Sequence, residues 1–590
     1  MKAKRIISIM LAIVMLLSFA LTTVSCNFSS FEMLEDYEDE DETKKEKTTK
    51  EDDTQVDTDD GEITSVEKTS ALEETKTESK TESKTESKTE SKTESKTESK
   101  TESKTESKTE SKTESKTESK TESKTESKTE TEVETEYIPE ETTTEAYAIG
   151  EVPAEGYDGS AVTITFYHTM GMSLQAVLDK YIVEFNKMYP NITIEHTQVG
   201  GYDDVCDQIK NDLTAGNQPN LAYCYPDHVA LYNLTNKVVP LDNFIESKIE
   251  ITDASGEKTV LGFTDAQIAD FIPAFYNEGR TFDEAGTMYT LPMSKSTEVL
   301  YYNKTFFEEH NLKVPTTWIE MEEVCAKILE IDPNCIPLGY DSESNWFITM
   351  AAQFASPYTS LERGENFLFD NAQNRAFVKI FREWYQKGYV TTQGIYGAYT
   401  SALFTKSSAG RNSYMCIASS GGAQHQRPDA TDTGYAFEVG IASIPQILPE
   451  SPKAILQGPS LCIFDSDNKQ EVVATWLFVK FLTTNPEFQA AFSMTSGYMP
   501  VINSVIKVPV YVDYIVSADG GSNIQALAAK VGLEQQDAYF TTPAFNGSDY
   551  ARDQVGLLMQ YCFTASTNDV DALINKAFWT AINECKKYVN

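Results

Sequence analysis

Histidine is almost missing from this sequence: among 590 residues only His168, His196, His228, His310 and His425 occur. No H-E-x-x-H, G-x-S-x-G, P-loop or G-x-G-x-x-G pattern is present. That removes the signatures of zinc proteases, serine hydrolases, nucleoside-triphosphate enzymes and dinucleotide enzymes. The nine cysteines form no C-x-x-C pair, so zinc-ribbon and thioredoxin readings fail too. No metal and no cofactor is expected, and His168 and His228 read as structural. Basic residues are outnumbered, 50 against 91 acidic ones, for a net charge of −41. Without a basic stripe, DNA or RNA is excluded as a partner.

Long apolar runs are also absent, with one exception at the start. Lys2, Lys4 and Arg5 precede a nearly unbroken apolar stretch from Ile6 to Leu21. It is too short and wrongly flanked for a membrane-spanning helix, and reads as an export signal over residues 1–25. Thr23-Val24-Ser25-Cys26 resembles a bacterial lipobox, in which a small residue precedes a cysteine that takes a diacylglyceryl group. Thr23 departs from the usual Leu, and an ordinary cleaved signal is the alternative. Lipidation of Cys26 implies an anchor in the membrane and a place on the outer face of the cytoplasmic membrane.

Residues 26–160 cannot build a core. From Thr77 to Lys128 the unit Thr-Glu-Ser-Lys repeats thirteen times. In a helix that period stacks Lys on Lys and Glu on Glu four residues apart, and as a strand it has nothing to bury. A disordered, acidic tether is expected, carrying about half of the negative charge and reaching about 60–70 Å as a coil.

Residues 161–590 hold the aromatic and aliphatic residues needed for two lobes. Val162 to Phe166 predicts a strand, Ser173 to Met188 a helix with an apolar face, and Ile192 to Glu195 a second strand. A helix from Tyr202 to Leu213 and a strand at Leu221 to Cys224 follow. Strand, helix, strand opens an α/β lobe with a parallel sheet. The eight cysteines of this region (Cys206, Cys224, Cys325, Cys335, Cys416, Cys462, Cys562 and Cys585) are open to two readings, disulfides or small buried hydrophobes.

Several stretches of this region carry a resemblance. They are Tyr289-Thr290-Leu291-Pro292-Met293-Ser294-Lys295-Ser296-Thr297-Glu298-Val299-Leu300-Tyr301-Tyr302-Asn303-Lys304, Pro315-Thr316-Thr317-Trp318, Val439-Gly440-Ile441-Ala442-Ser443-Ile444-Pro445, Ala474-Thr475-Trp476-Leu477-Phe478, and Thr495-Ser496-Gly497-Tyr498-Met499-Pro500. In order and spacing the region resembles the family 1 extracellular solute-binding proteins, the receptors of carbohydrate-type ABC importers. The resemblance implies a two-lobed α/β fold of the periplasmic-binding-protein type, with several hinge crossovers and a ligand between the lobes. It implies membrane permease subunits as partners, no catalysis, and a monomer. Lobe boundaries are expected near Pro292 and Pro445: lobe 1 about 161–291 with part of 446–500, lobe 2 about 292–445 with part of 501–590.

A sugar-like ligand needs flat apolar faces and fixed polar groups, so aromatics and acids next to Gly or Pro in loops are candidates. These are Tyr202 after Gly200-Gly201, Asp227 after Tyr225-Pro226, Trp346 after a polar run, and Tyr498 after Gly497. Likeness to the glycerol-3-phosphate receptor type adds Ser296, Ser420, Gly458, Tyr498 and Arg552, a set of hydroxyls, a backbone N–H and a guanidinium suited to a phosphate. Glu343 stands where that type has a second tryptophan, and Gln457 replaces a glycine. A carboxylate at the ligand favours a neutral mono- or oligosaccharide over a glycerol phosphate. A secreted carbohydrate-active enzyme, with two carboxylates as acid and base, and a wall-associated adhesin are the rival readings.

Overall fold

The computed structural model describes residues 148–362, 364–405, 412–428, 436–520 and 523–589. The export signal, Cys26 and the repeat lie outside the described residues.

In chain order the first lobe opens with β1 (Val162–His168), α1 (Met172–Met188), β2 (Ile192–Gln198), α2 (Tyr202–Ala215), β3 (Leu221–Cys224) and α3 (Pro226–Tyr232). A small hairpin, β4 (Glu250–Thr252) with β5 (Lys258–Val260), and β6 (Leu291–Pro292) complete this pass. The second lobe then builds β7 (Ser296–Asn303), α4 (Trp318–Ile331), β8 (Leu338–Tyr340), α5 (Glu343–Gln353), α6 (Ala372–Gln386) and β9 (Val390–Thr392). It continues with β10 (Met415–Ser419), β11 (Val439–Ser443) and β12 (Ala454–Gln457). The chain returns to the first lobe for β13 (Ser460–Ile463), α7 (Lys469–Thr484) and α8 (Pro486–Ser496). It ends on α9 (Ile524–Glu534), β14 (Tyr539–Phe540), α10 (Ser548–Thr564) and α11 (Val570–Val589).

The physical causes are local. In β1 every second residue is buried, so Val162, Ile164, Phe166 and His168 share the inner face. In α1, Leu178, Tyr181 and Phe185 recur at helical spacing and enter the core, and the helix stops at Tyr189-Pro190. Thr317 caps α4 by accepting from Glu320 N–H, while the Glu320 carboxylate reaches back to Thr317 N–H.

The first sheet runs β2-β1-β3-β13-β6, parallel where β1 meets β2 and β3 and antiparallel at β13. The second runs β14-β12-β7-β10-β8-β9, with β11 also pairing β7. Each sheet has its own core. One gathers Phe166, Phe185, Trp476 and Phe478; the other gathers Trp318, Trp346, Phe381 and Phe578. None of the eight cysteines of the described residues forms a disulfide, and all are buried. His168 and His196 form a hydrogen-bonded chain with Asp179 (2.9 Å at each step), and burial pushes His168 down to about 4, so it is neutral at neutral pH. Among the described residues no helix is long and apolar enough to cross a membrane.

Two expected boundaries move. Ahead of residue 161, Ile149, Val152 and Tyr157 already pack on the first core, and Gln470 bonds both Gly156 O and Asp158 N–H. The return to the first lobe falls at Gln457–Ser460 rather than at Pro445. Gln353 holds the Pro445 carbonyl at 3.0 Å and Gln446 bridges Thr317, both inside the second lobe.

Candidate ligand-binding cleft

A cavity of about 100 Å³ lies between the lobes. The first lobe contributes Tyr225, Pro226 and Asp227, which follow the carboxyl end of β3, and Glu278. The second contributes Gln457 at the end of β12, Thr541 and Thr542 after β14, and Asp549 and Arg552 from the first turns of α10. A three-residue step on a helix puts Asp549 and Arg552 on one face.

The lobes touch through charged and polar groups across this cavity. Ser548 Oγ donates to Asp227 Oδ1 at 2.5 Å. Arg552 Nε stands 3.6 Å from Asp227 Oδ2, with side-chain exposures of 23% and 13%. His228 Nε2 lies 3.9 Å from Asp549 Oδ1. Arg552 Nη1 also donates to Asn345 Oδ1 at 2.5 Å, and Gln457 Nε2 reaches the same oxygen at 3.2 Å. The lobes are therefore closed, and Arg552 is oriented from both sides.

Burial and the neighbouring carboxylates shape the titration of this region. Burial pushes the Asp549 carboxyl up, with His228 and Arg552 opposing. Burial together with Asp549 and Asp203 pushes Asp553 up to about 6. Burial pushes Glu298, behind Asn345 and Arg552, up to about 7 against the Tyr340 hydroxyl, which donates to it at 2.6 Å. Folded Glu298 therefore keeps a proton that the unfolded chain releases. Its contribution falls as pH rises from about 4.5 to about 7 and stays unfavourable above. Glu298→Gln is expected to stabilise the fold by about 3 kcal/mol at pH 8 and by nothing measurable near pH 4. Chemical denaturation at the two pH values measures the difference.

The sequence-predicted residues fall into three groups. Asp227 and Arg552 line the cavity. Tyr202 and Tyr498 form an aromatic wall beside it: Tyr202 stacks on cavity-lining Tyr225 at 4.2 Å and its hydroxyl bonds that of Tyr498. Tyr498 fits because Gly421 has no side chain; a Cβ there would stand 2.9 Å from its ring.

Ser296, Ser420 and Gly458 are buried where the first two interlobe segments meet. Ser296 pairs Gln457 in register, Ser420 Oγ accepts Thr297 N–H at 3.2 Å, and Gly458 at φ +98° lies against Lys295. They carry the cavity wall rather than line it.

Trp346 is a correction. It has no exposed surface and sits inside the second core, stacked on Tyr340 at 4.8 Å and beside Phe381 at 4.2 Å. Glu343 is another. Its carboxylate accepts from Thr392 Oγ1 at 2.6 Å and from Gly394 N–H at 2.8 Å, and does not line the cavity.

Sequence reasoning missed Glu278, Asp549 and the two threonines as cavity-lining residues, and Asn345 behind them. Asp549 had a signal, its i,i+3 spacing from Arg552; the threonines had none. Among the described residues no group of three or more His, Cys, Asp or Glu is placed to hold a metal.

Comparison with known proteins bears on the family and the fold. The sn-glycerol-3-phosphate-binding periplasmic protein UgpB of Escherichia coli is 24% identical over 376 residues, 62% of this chain and 79% of that protein. The cyclic α-maltosyl-1,6-maltose binding protein of Arthrobacter globiformis shares the fold with a TM-score of 0.56 and 17% identity, over 72% of this chain and all of that one. UgpB of Mycobacterium tuberculosis, solved with glycerophosphocholine, gives 0.55 and 18% over 73% of this chain and 99% of that one. These relatives are binding proteins, and the enzyme reading gives way to them. The family model described as bacterial extracellular solute-binding protein matches residues 180–516, more than half of the sequence. The chain belongs to the bacterial extracellular solute-binding proteins.

Proposed function

We propose that this protein is the lipid-anchored solute receptor of an ABC importer, and that its cleft takes a neutral polyol of glycerol to hexose size for delivery to a membrane permease. The interlobe cavity carries this reading. A cavity of about 100 Å³ is smaller than the roughly 300–1,000 Å³ of clefts that hold drug-sized ligands. A closed cleft of that size suits a small solute and is too small for an oligosaccharide.

Charge supports a neutral solute. Arg552 faces Asp227 and Asp549, while Glu278 is already paired with Lys295, so the wall carries about one net negative charge. A phosphate dianion would meet two carboxylates, whereas sugar hydroxyls donate to them and Tyr225 adds an aromatic ring to the wall. Neutrality thus rests on these two aspartates and not on Glu343. A glycerol phosphate is the second reading, favoured by Arg552 and by what the Escherichia coli relative is named for.

A thermal-shift screen of hexoses, glycerol, maltotetraose, sn-glycerol-3-phosphate and glycerophosphodiesters tests the proposal. The bound solute at about a hundred times its Kd should add about 2.7 kcal/mol of stability. A shift with sn-glycerol-3-phosphate and none with neutral polyols overturns the charge argument; a shift only with maltotetraose overturns the size argument.

The anchor is tested separately. Two acyl chains give stable membrane attachment where one is marginal. Cys26→Ala should therefore move most of the protein from the membrane fraction into the medium. Immunoblotting of both fractions reads this, and continued membrane retention refutes the anchor.

A further inference from the structure

Lys295 has no exposed surface, and its surroundings are unusual for a lysine. It sits in the first interlobe segment, between β6 and β7. Its backbone is paired with Met499, which follows α8 in the first core: Lys295 N–H donates to Met499 O at 3.1 Å and Met499 N–H to Lys295 O at 2.7 Å. Its ammonium donates to two groups of the second segment, Gly458 O at 3.0 Å and Ser460 Oγ at 2.9 Å. The remaining bond is an ion pair with Glu278 Oε2, which also accepts from Ser460 Oγ at 3.1 Å. Glu278 is itself on the cavity wall.

One buried cation therefore ties the first two interlobe segments to the wall of the cleft. A buried ammonium is stable only while every partner stays in place, because each lost bond leaves charge in a medium of low polarity. Lys295 and Gly458 lie in the two segments that join the lobes, so rotation of one lobe against the other bends the backbone that this ammonium bridges. We propose that Lys295, through Glu278, is the positioning residue that sets the closed angle of the lobes, so that what Glu278 meets in the cavity is transmitted to the hinge. This rests on the cavity being a cleft that closes; it does not depend on which solute enters.

The test uses the full chain without added solute. Amide hydrogen exchange is followed in peptides spanning 225–228 and 548–552, where the lobes meet, and in β1 and β10 as internal references. Lys295→Met together with Glu278→Gln removes both charges, so the melting temperature should stay near that of the parent. The interlobe peptides should nevertheless exchange at least tenfold faster, with the references unchanged. Ser460→Ala, which removes one bond and no charge, should give about threefold and decides the matter where the double variant does not fold. A residue that only stabilises would behave differently: exchange would rise in the references as well, or return to the parent rate as the melting temperature does. Either result, or unchanged interlobe exchange in the variants that fold, overturns the proposal.

Discussion

Replacing Arg552 by Ala is expected to weaken solute binding at least about thirtyfold while leaving the protein folded. The guanidinium is the cation of the cavity, held by Asn345 at 2.5 Å on its own lobe and facing Asp227 at 3.6 Å on the other. Truncating one partner of a buried, hydrogen-bonded charge pair costs about 2–5 kcal/mol, because the other is left without compensation. Here the loss falls on the closed state, where Asp227 and Asp549 would remain together without a counterion. The open form has both carboxylates in water and is little affected. Arg552→Lys should lie between parent and Ala, since an ammonium keeps the charge but lacks the fork that reaches Asn345 and Asp227 together. Calorimetric titration with the solute found by thermal shift measures both. An unchanged Kd for Arg552→Ala would put the solute somewhere other than this cavity.

Trp346→Ala is expected to have the largest effect on stability, about 3–5 kcal/mol. Its indole has no exposed surface, stacks on Tyr340 within 10° of parallel, and contacts Phe381 and Phe563 across the second core. Removing it leaves a cavity that neighbours from β8, α6 and α10 cannot close without shifting. Chemical denaturation should report the full loss, while the solute affinity of the folded fraction falls less than in Arg552→Ala. The reverse ranking would return Trp346 to the binding site.

These two residues show where sequence was informative. Arg552 came from likeness to the glycerol-3-phosphate receptor type, since by itself an arginine in an acidic protein reads equally well as a surface ion pair. Trp346 was chosen because it follows a polar run, as cleft aromatics do. The run is the amino end of α5, and one helical step decides what each side chain meets: Asn345 bonds Arg552 and Gln457 behind the cavity wall, and Trp346 turns into the core.

The opening strands and helices were legible because alternation in β1 and the apolar face of α1 are local patterns. The boundary at Pro445 was not. What keeps that proline in the second lobe is Gln353, distant in sequence, and no local pattern announces such a contact. The hinge lysine was quoted within a motif but not recognised, since a lysine reads as surface until three separate segments are seen around it.

The stretch before β1 has a mechanical consequence. Ile149, Val152 and Tyr157 are moored to the first lobe, and Asn191 grips Gly159 O beside the starts of β1 and β2. Tyr225 and Asp227 follow the far ends of the strands. Tension arriving at residue 148 is thus borne by one jaw, on the side away from its bite. However hard that line is drawn, no load crosses to the other jaw, and the grip on a captured molecule is not pried apart.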